Sequence, residues 1–215
     1  MKIGFIGLGN MGLHLAGNIL DGGFDLHVYN RTPSKAALLV ARGAAMASSP
    51  AELTERVDIV LACLADVAAS EDVFLGENGV VSAARPGQIL VDHSTVDPVT
   101  SRRLHRAAEQ KGAHFLDAPL SGGPESAEAG TLTIMVGGDE AALQRALPVF
   151  QAVGKTIAHM GGPGAGSATK LVNQALVGVH TLASCEAILL GMKWGLGSGR
   201  LTGVLMRSWG GQQDA

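Results

Sequence analysis

Residues 2–12 read "KIGFIGLGNMG". "KIGFIG" is an apolar run suited to a strand. "NMGLHLAGNILDGG", which overlaps its end, carries helical apolar spacing and stops at Gly22 and Gly23. Between them, Gly7-Leu8-Gly9-Asn10-Met11-Gly12 has the form G-x-G-x-x-G. After a strand and at the start of a helix, each glycine has its own duty. Gly7 permits a tight turn, Gly9 lets the backbone approach a pyrophosphate, and Gly12 lets the helix pack closely on the sheet. Backbone N–H groups and the helix dipole then face the phosphates. The other reading is an ordinary glycine-rich strand–helix turn. The flanking elements favour a dinucleotide site, with residues 7–12 as its cofactor contacts.

The next strand, "FDLHVYN", ends at Asn30-Arg31-Thr32, with Lys35 one turn on. A site for NAD usually has a carboxylate there for the ribose hydroxyls. Here no carboxylate would repel a 2′-phosphate, and Arg31 can bond it in a fork or stack on adenine. The alternative is a solvated surface arginine. The pattern favours NADP, with NAD as the second choice.

Further along, "DIVLACL" and "GQILVDHS" are continuous apolar runs, as expected of strands covered on both faces. They alternate with helical segments such as "PSKAALLVARG" and "DPVTSRRLHRAAEQKG", and are followed by "HFLDAPLSGG", "LTIMVGG", a helix from Asp139 and "KTIAHMG". The β-α-β-α order implies an α/β fold: a Rossmann-type, doubly wound parallel sheet with helices on both faces and right-handed crossovers. From Ala165 to about Lys193 the pattern is helical without a strong break, roughly 40 Å at 1.5 Å per residue. Such a helix leads out of one domain into another. The expected organisation is residues 1–163 as the dinucleotide-binding domain, and 164–215 as a long interdomain helix with the start of an all-helical domain.

The bulk composition agrees. Of 215 residues, 47% are apolar and 16% charged, enough for a sizeable core; aromatics at 4% make that core chiefly aliphatic. The net charge of −3, with no basic run, gives no electrostatic case for nucleic acid or an anionic membrane. The apolar stretch 171–192 is interrupted by Asn173, Gln174, His180, Ser184 and Glu186, which favours a buried helix over a membrane span. Cys63 and Cys185 are expected as buried free thiols in a reducing cytoplasm, and no histidine spacing suggests a metal.

Four more stretches join the glycine fingerprint: "NRTPSK", "DHST", "DAPLSGGPESAEAGTLTIMVGG" and "GAGSATKLVNQALVG". Together they resemble the β-hydroxyacid dehydrogenase family, which includes 3-hydroxyisobutyrate dehydrogenases and semialdehyde reductases. The resemblance covers nearly the whole chain. It implies that Lys170 is the catalytic lysine and that Asn173 holds and orients substrate. It implies that Ser121, Gly122 and Gly123 bind the substrate carboxylate, that Thr95 lies near the nicotinamide, and that Leu64 and Ala65 cover the cofactor ribose. The implied substrate is a small carboxylated aldehyde or hydroxy acid. The residues also admit blander readings: a snorkelling Lys170, a core amide at Asn173, a simple turn end at Ser121. Asp117 could brace the turn, and His180 reads as a helix packing residue. Ser126 stands where many members have glycine, Gln174 where many have a second asparagine, and most of the family's helical domain is absent. The exposed half-helix with Leu189, Leu190, Met192, Trp194 and Leu196 leads to an expected homodimer or higher homo-oligomer. Two other readings stand: an imine reductase-like NADPH enzyme, and a non-catalytic NADP-binding module.

Overall fold

The computed structural model describes residues 1–208; the end of the expected helical domain, 209–215, lies outside the described residues. The chain divides into two compact units, Met1–Leu171 and Val172–Ala215.

The first unit is built on a nine-stranded sheet: β1 (Lys2–Ile6), β2 (Asp25–Tyr29), β3 (Ala45–Met46), β4 (Ile59–Ala62), β5 (Ile89–Asp92), β6 (His114–Asp117), β7 (Leu120–Ser121), β8 (Leu132–Gly138) and β9 (Gly154–Gly161). Helices α1 (Gly12–Asp21), α2 (Ala37–Ala41, after a 3-10 turn begun by Pro33), α3 (Pro50–Arg56), α4 (Val67–Leu75), α5 (Val80–Ala83) and α6 (Pro98–Glu109) connect the first six strands. Then follow α7 (Gly123–Glu128), α8 (Glu140–Val153), α9 (Ala165–Lys193) and α10 (Ser198–Leu205). Strand order is β3-β2-β1-β4-β5-β6-β8-β7, with β9 beside β8. The order reverses direction from β1, between β2 and β4, the place where open α/β sheets bind ligands.

The continuous apolar runs explain themselves in the sheet. Successive strand side chains point to opposite faces. Ile59 and Leu61 of β4 therefore join one core with Ile3, Phe5, Leu15 and Val91, while Val60 and Ala62 join the other with Leu53, Phe74, Leu90 and Leu104. The cores are chiefly aliphatic, but Phe5, Phe74, Phe115 and Phe150 are their largest fully buried side chains.

The β-α-β-α pattern predicts a parallel sheet, but the sheet is mixed. β8 runs antiparallel to both β6 and β7. A parallel return needs a crossover of a dozen or more residues, and only the short α7 separates β7 from β8. The elements β3, α3, α4, α5, α7 and α10 do not stand out in the sequence because each is short, at most nine residues, against the longer windows over which an apolar period becomes distinct.

The glycine turn has the expected close packing. Gly7 has φ +95°, and a Cβ on Gly12 would stand 1.8 Å from the Gly7 carbonyl oxygen. Gly12→Ala therefore has no flexible side chain to push aside. A loss of about 1–3 kcal/mol is expected in urea unfolding. An unchanged midpoint would show that α1 moves away from the turn without strain.

Two expectations about α9 are overturned. Its apolar length is not buried: an 18-residue window of mean hydropathy 1.6 has 0% of its residues buried, and by length and composition alone the helix could cross a membrane. His180 is exposed rather than packed. Apolar pattern reports what a helix can bury, not what covers it. Cys185 is likewise exposed, and Cys63 only half-buried.

Candidate active site

A cavity of about 670 Å³ opens at the C-terminal ends of β1, β2 and β4. It is lined by Gly7 and Gly9, by Asn30, Arg31, Thr32 and Lys35, and by Leu64 and Ala65. Thus eight residues of the expected cofactor set come together around one space of ligand size. Leu8, Asn10, Met11, Gly12 and Thr95 do not line it. Leu8 is buried behind the turn, Gly12 packs under it, and Thr95 is exposed after β5.

The walls are held by specific bonds. The Leu8 N–H donates to Asn30 Oδ1 at 2.8 Å, and Asn30 Nδ2 donates to the Thr32 carbonyl at 2.9 Å. Asn30 thus ties the glycine turn to the end of β2. The Leu64 N–H donates to buried Ser94 Oγ at 2.9 Å, and the Ser94 N–H donates to Asp92 Oδ1 at 2.9 Å. This places the 63–65 loop against Gly7, whose missing Cβ would meet the Cys63 carbonyl at 2.3 Å. Ser94 had no role in the sequence reading; its position between Asp92 and Leu64 was visible only in three dimensions. Although the residue as a whole is half-buried, its thiol is desolvated, which with nearby Asp92 pushes it up to about 12, so this cavity-wall cysteine is a neutral thiol.

These residues fit a dinucleotide. At Gly9, the space a Cβ would enter is open to at least 4 Å, which leaves the backbone free for a phosphate. Among the described residues, neither Arg31 nor Lys35 has an ion-pair partner. Asp72 and Glu77 also line the cavity.

Ser121, Gly122, Gly123 and Lys170 lie elsewhere on the first unit, and Asn173 belongs to the second. Ser121 is in β7, paired with Thr133 of β8; Gly122 and Gly123 follow with φ +133° and +74°. Side chains are strained in that region, so the turn depends on glycine. Lys170 lies in the second turn of α9, 8% exposed, and desolvation lowers its pKa from the ordinary lysine value. Asn173, one turn further, has a buried Oδ1 without a hydrogen-bond partner.

Asp117 does more than brace the β6 turn. Its Oδ1 accepts from the Gly164 N–H and its Oδ2 from the Ser167 N–H, both at 2.8 Å. It therefore caps the start of α9 and sets where Lys170 stands. A Cβ on Gly166 would meet the Met135 and Asp117 carbonyls at 2.3 and 2.4 Å, so the helix start sits directly against β6 and β8. Ser167 Oγ further bonds Ser101 Oγ of α6 at 2.7 Å. Burial raises the Asp117 carboxyl, the N–H donors pulling the other way. His93 is buried against Phe150; its Nδ1 bonds the Ala118 carbonyl at 2.7 Å, and burial lowers its pKa to about 4. It is a neutral imidazole packed in the core. Among the described residues, no cluster of metal-ligating side chains occurs.

Comparison with known proteins gives this arrangement a family. Residues 2–162 match the NAD binding domain of 6-phosphogluconate dehydrogenase, and 164–213 match the family described as NAD-binding of NADP-dependent 3-hydroxyisobutyrate dehydrogenase. The chain belongs to the β-hydroxyacid dehydrogenase family. It is 40% identical over 210 residues to the NAD-dependent L-serine dehydrogenase of Pseudomonas aeruginosa, covering 98% of this chain and 70% of that one. It is 40% identical over 206 residues to the 2-hydroxy-3-oxopropionate reductase of Escherichia coli, covering 96% and 70%. The solved 3-hydroxyisobutyrate dehydrogenase of Mycobacterium tuberculosis, with L-serine, superposes at TM-score 0.87 with 36% identity, over 97% of this chain and 71% of that one. An imine reductase from a Pseudomonas species shares the fold at 23% identity and TM-score 0.84, over 96% of this chain and 72% of that one. This family is one of oxidoreductases that bind NAD(P).

Proposed function

We propose that this chain carries the catalytic machinery of an NADP-dependent oxidoreductase interconverting a small 3-hydroxy acid and its semialdehyde. The observation that carries the reading is Lys170: buried, its pKa lowered, on a helix whose start is clamped by Asp117. Gly7, Gly9, Asn30–Thr32, Lys35, Leu64 and Ala65 would hold the dinucleotide, with Thr95 near its reactive ring. A dinucleotide held there would supply a hydride in reduction and accept one in oxidation.

Ser121, Gly122 and Gly123 hold the substrate carboxylate through backbone N–H groups and the Ser121 hydroxyl. Asn173, three residues after Lys170 on α9, is the residue the family resemblance gives for orienting substrate. In reduction, the Lys170 ammonium gives its proton to the carbonyl oxygen as charge develops there. In oxidation, neutral Lys170 takes the hydroxyl proton. Desolvation lowers the Lys170 pKa from its ordinary value, which makes the ammonium a stronger acid for reduction and the neutral amine easier to form for oxidation. The imine reductase reading lacks comparable support: that likeness is one of fold, and Lys170 with the S-G-G turn suits a carboxylated carbonyl substrate.

The test is a panel of semialdehydes, with cyclic imines as controls, assayed with NADPH and NADH and paired with dinucleotide binding by fluorescence. Oxidation of NADPH by a semialdehyde is expected. Turnover of imines alone overturns the substrate class. Tight NADPH binding with no turnover of any substrate favours a binding module.

The preference for NADP rests on Arg31 and Lys35 beside the cavity. Arg31→Ala should weaken NADPH binding about ten- to a hundredfold, the worth of a charged hydrogen bond, and NADH by less than about threefold. Equal losses for both would mean that Arg31 stacks on the adenine instead. We also assign the exposed apolar face of α9 to a second copy of the chain, giving a cytoplasmic homodimer. Sedimentation of a monomer at micromolar concentration would count against this.

A further inference from the structure

We infer that Asn18, on the dinucleotide helix, is a positioning residue for the substrate turn. This rests on the proposed reading of Ser121–Gly123 as the carboxylate site. Asn18 lies on α1, the helix opened by the glycine fingerprint. Its Nδ2 donates to the Ala127 carbonyl at 2.8 Å and approaches the Glu128 carbonyl at 3.5 Å, across 109 and 110 residues of sequence. Both carbonyls are at the end of α7, beyond its i→i+4 ladder; the Ala127 oxygen otherwise accepts only a long bond, from the Gly130 N–H at 3.4 Å.

The other end of α7 sets the turn. The helix begins at Gly123. A Cβ on Gly122 would meet Ser126 Cβ at 2.7 Å and Ser126 Oγ at 2.8 Å, so the turn rests directly on the Ser126 side chain. Ser126 immediately precedes Ala127. A shift of α7 therefore moves Gly122, and Asn18 is the polar tie that holds α7 to α1. α1 presents its N-terminus at the dinucleotide turn. The same helix thus references the two reactants to each other, where a misplacement of about 1 Å costs on the order of a hundredfold in rate. Apolar packing alone allows sliding; a hydrogen bond to a specific carbonyl defines register.

Asn18→Ala and Asn18→Gln are compared with the unaltered protein. NADPH affinity is read by fluorescence, 3-hydroxypropionate affinity by calorimetry with NADPH bound, and amide hydrogen exchange over residues 122–129 by mass spectrometry. Asn18→Ala should leave NADPH affinity within about twofold, weaken 3-hydroxypropionate about tenfold, the worth of one hydrogen bond, and speed exchange over 122–129. Asn18→Gln, which keeps the amide donor, should restore part of the acid affinity. Unchanged acid affinity and exchange in Asn18→Ala overturn the inference, as does an equal loss for both ligands, which is the mark of general loosening. If the unaltered protein binds NADPH but no 3-hydroxypropionate, the substrate reading fails, and the bridge is then decided by exchange alone.

Discussion

Replacing Lys170 with methionine is expected to lower turnover about 10²–10⁴-fold while leaving dinucleotide affinity unchanged. The size is that of a lost general acid. The split follows from position: Lys170 is on α9, and the cavity wall comes from the ends of β1, β2 and β4. Methionine keeps an unbranched stem for the same buried space. The same change should raise stability near neutral pH, on the order of 1 kcal/mol, because a buried ammonium is replaced by an apolar group.

The pH dependence has a definite sign. Desolvation lowers the folded-state pKa of Lys170 below its ordinary value of 10.5. The unfolded chain therefore binds the proton more readily, and the unaltered protein gains stability as pH rises through the folded pKa toward 10.5. The advantage of Lys170→Met should shrink over that range. Oxidation should rise on the same limb, and reduction should fall. Activity rates for both directions and urea midpoints from neutral to alkaline pH check this. Retained turnover in the variant would remove Lys170 from the mechanism.

Asp117→Ala should be the most destabilising single change in this region, costing about 2–5 kcal/mol by urea unfolding. It leaves the Gly164 and Ser167 N–H groups buried without acceptors, each worth about 1–3 kcal/mol. Because the start of α9 loses its clamp, turnover should fall with it. Asp117→Asn separates the two effects. One amide oxygen can accept one N–H, while the NH₂ faces the other, so a cost of about half is expected with the fold kept. If Asp117→Asn is as stable and active as the unaltered chain, the clamp does not position Lys170.

Much of this was legible in the residues because it is local. A strand, a G-x-G-x-x-G turn and a helix must be adjacent, and only glycine satisfies the crowding between Gly7 and Gly12. The missing carboxylate after β2 and the three-residue spacing of Lys170 and Asn173 on α9 are likewise sequence facts. Strands β4 and β5 announced two-sided burial by unbroken apolar runs, and both faces are indeed core.

What the sequence could not order was contact across distance and coverage by neighbours. The antiparallel β8 follows from too short a connection after β7, which pattern alone does not weigh. The exposed length of α9 shows that an apolar helix declares an affinity, not a partner. By itself the sequence determined the glycine turn between β1 and α1 and the helix that carries Lys170, because their physics operates within a few residues. Only the tertiary structure decided that Asp117 caps a helix 47 residues away and that Asn18 holds a helix end 109 residues away. Hydrogen bonds over such separations depend on where the whole sheet has placed each end.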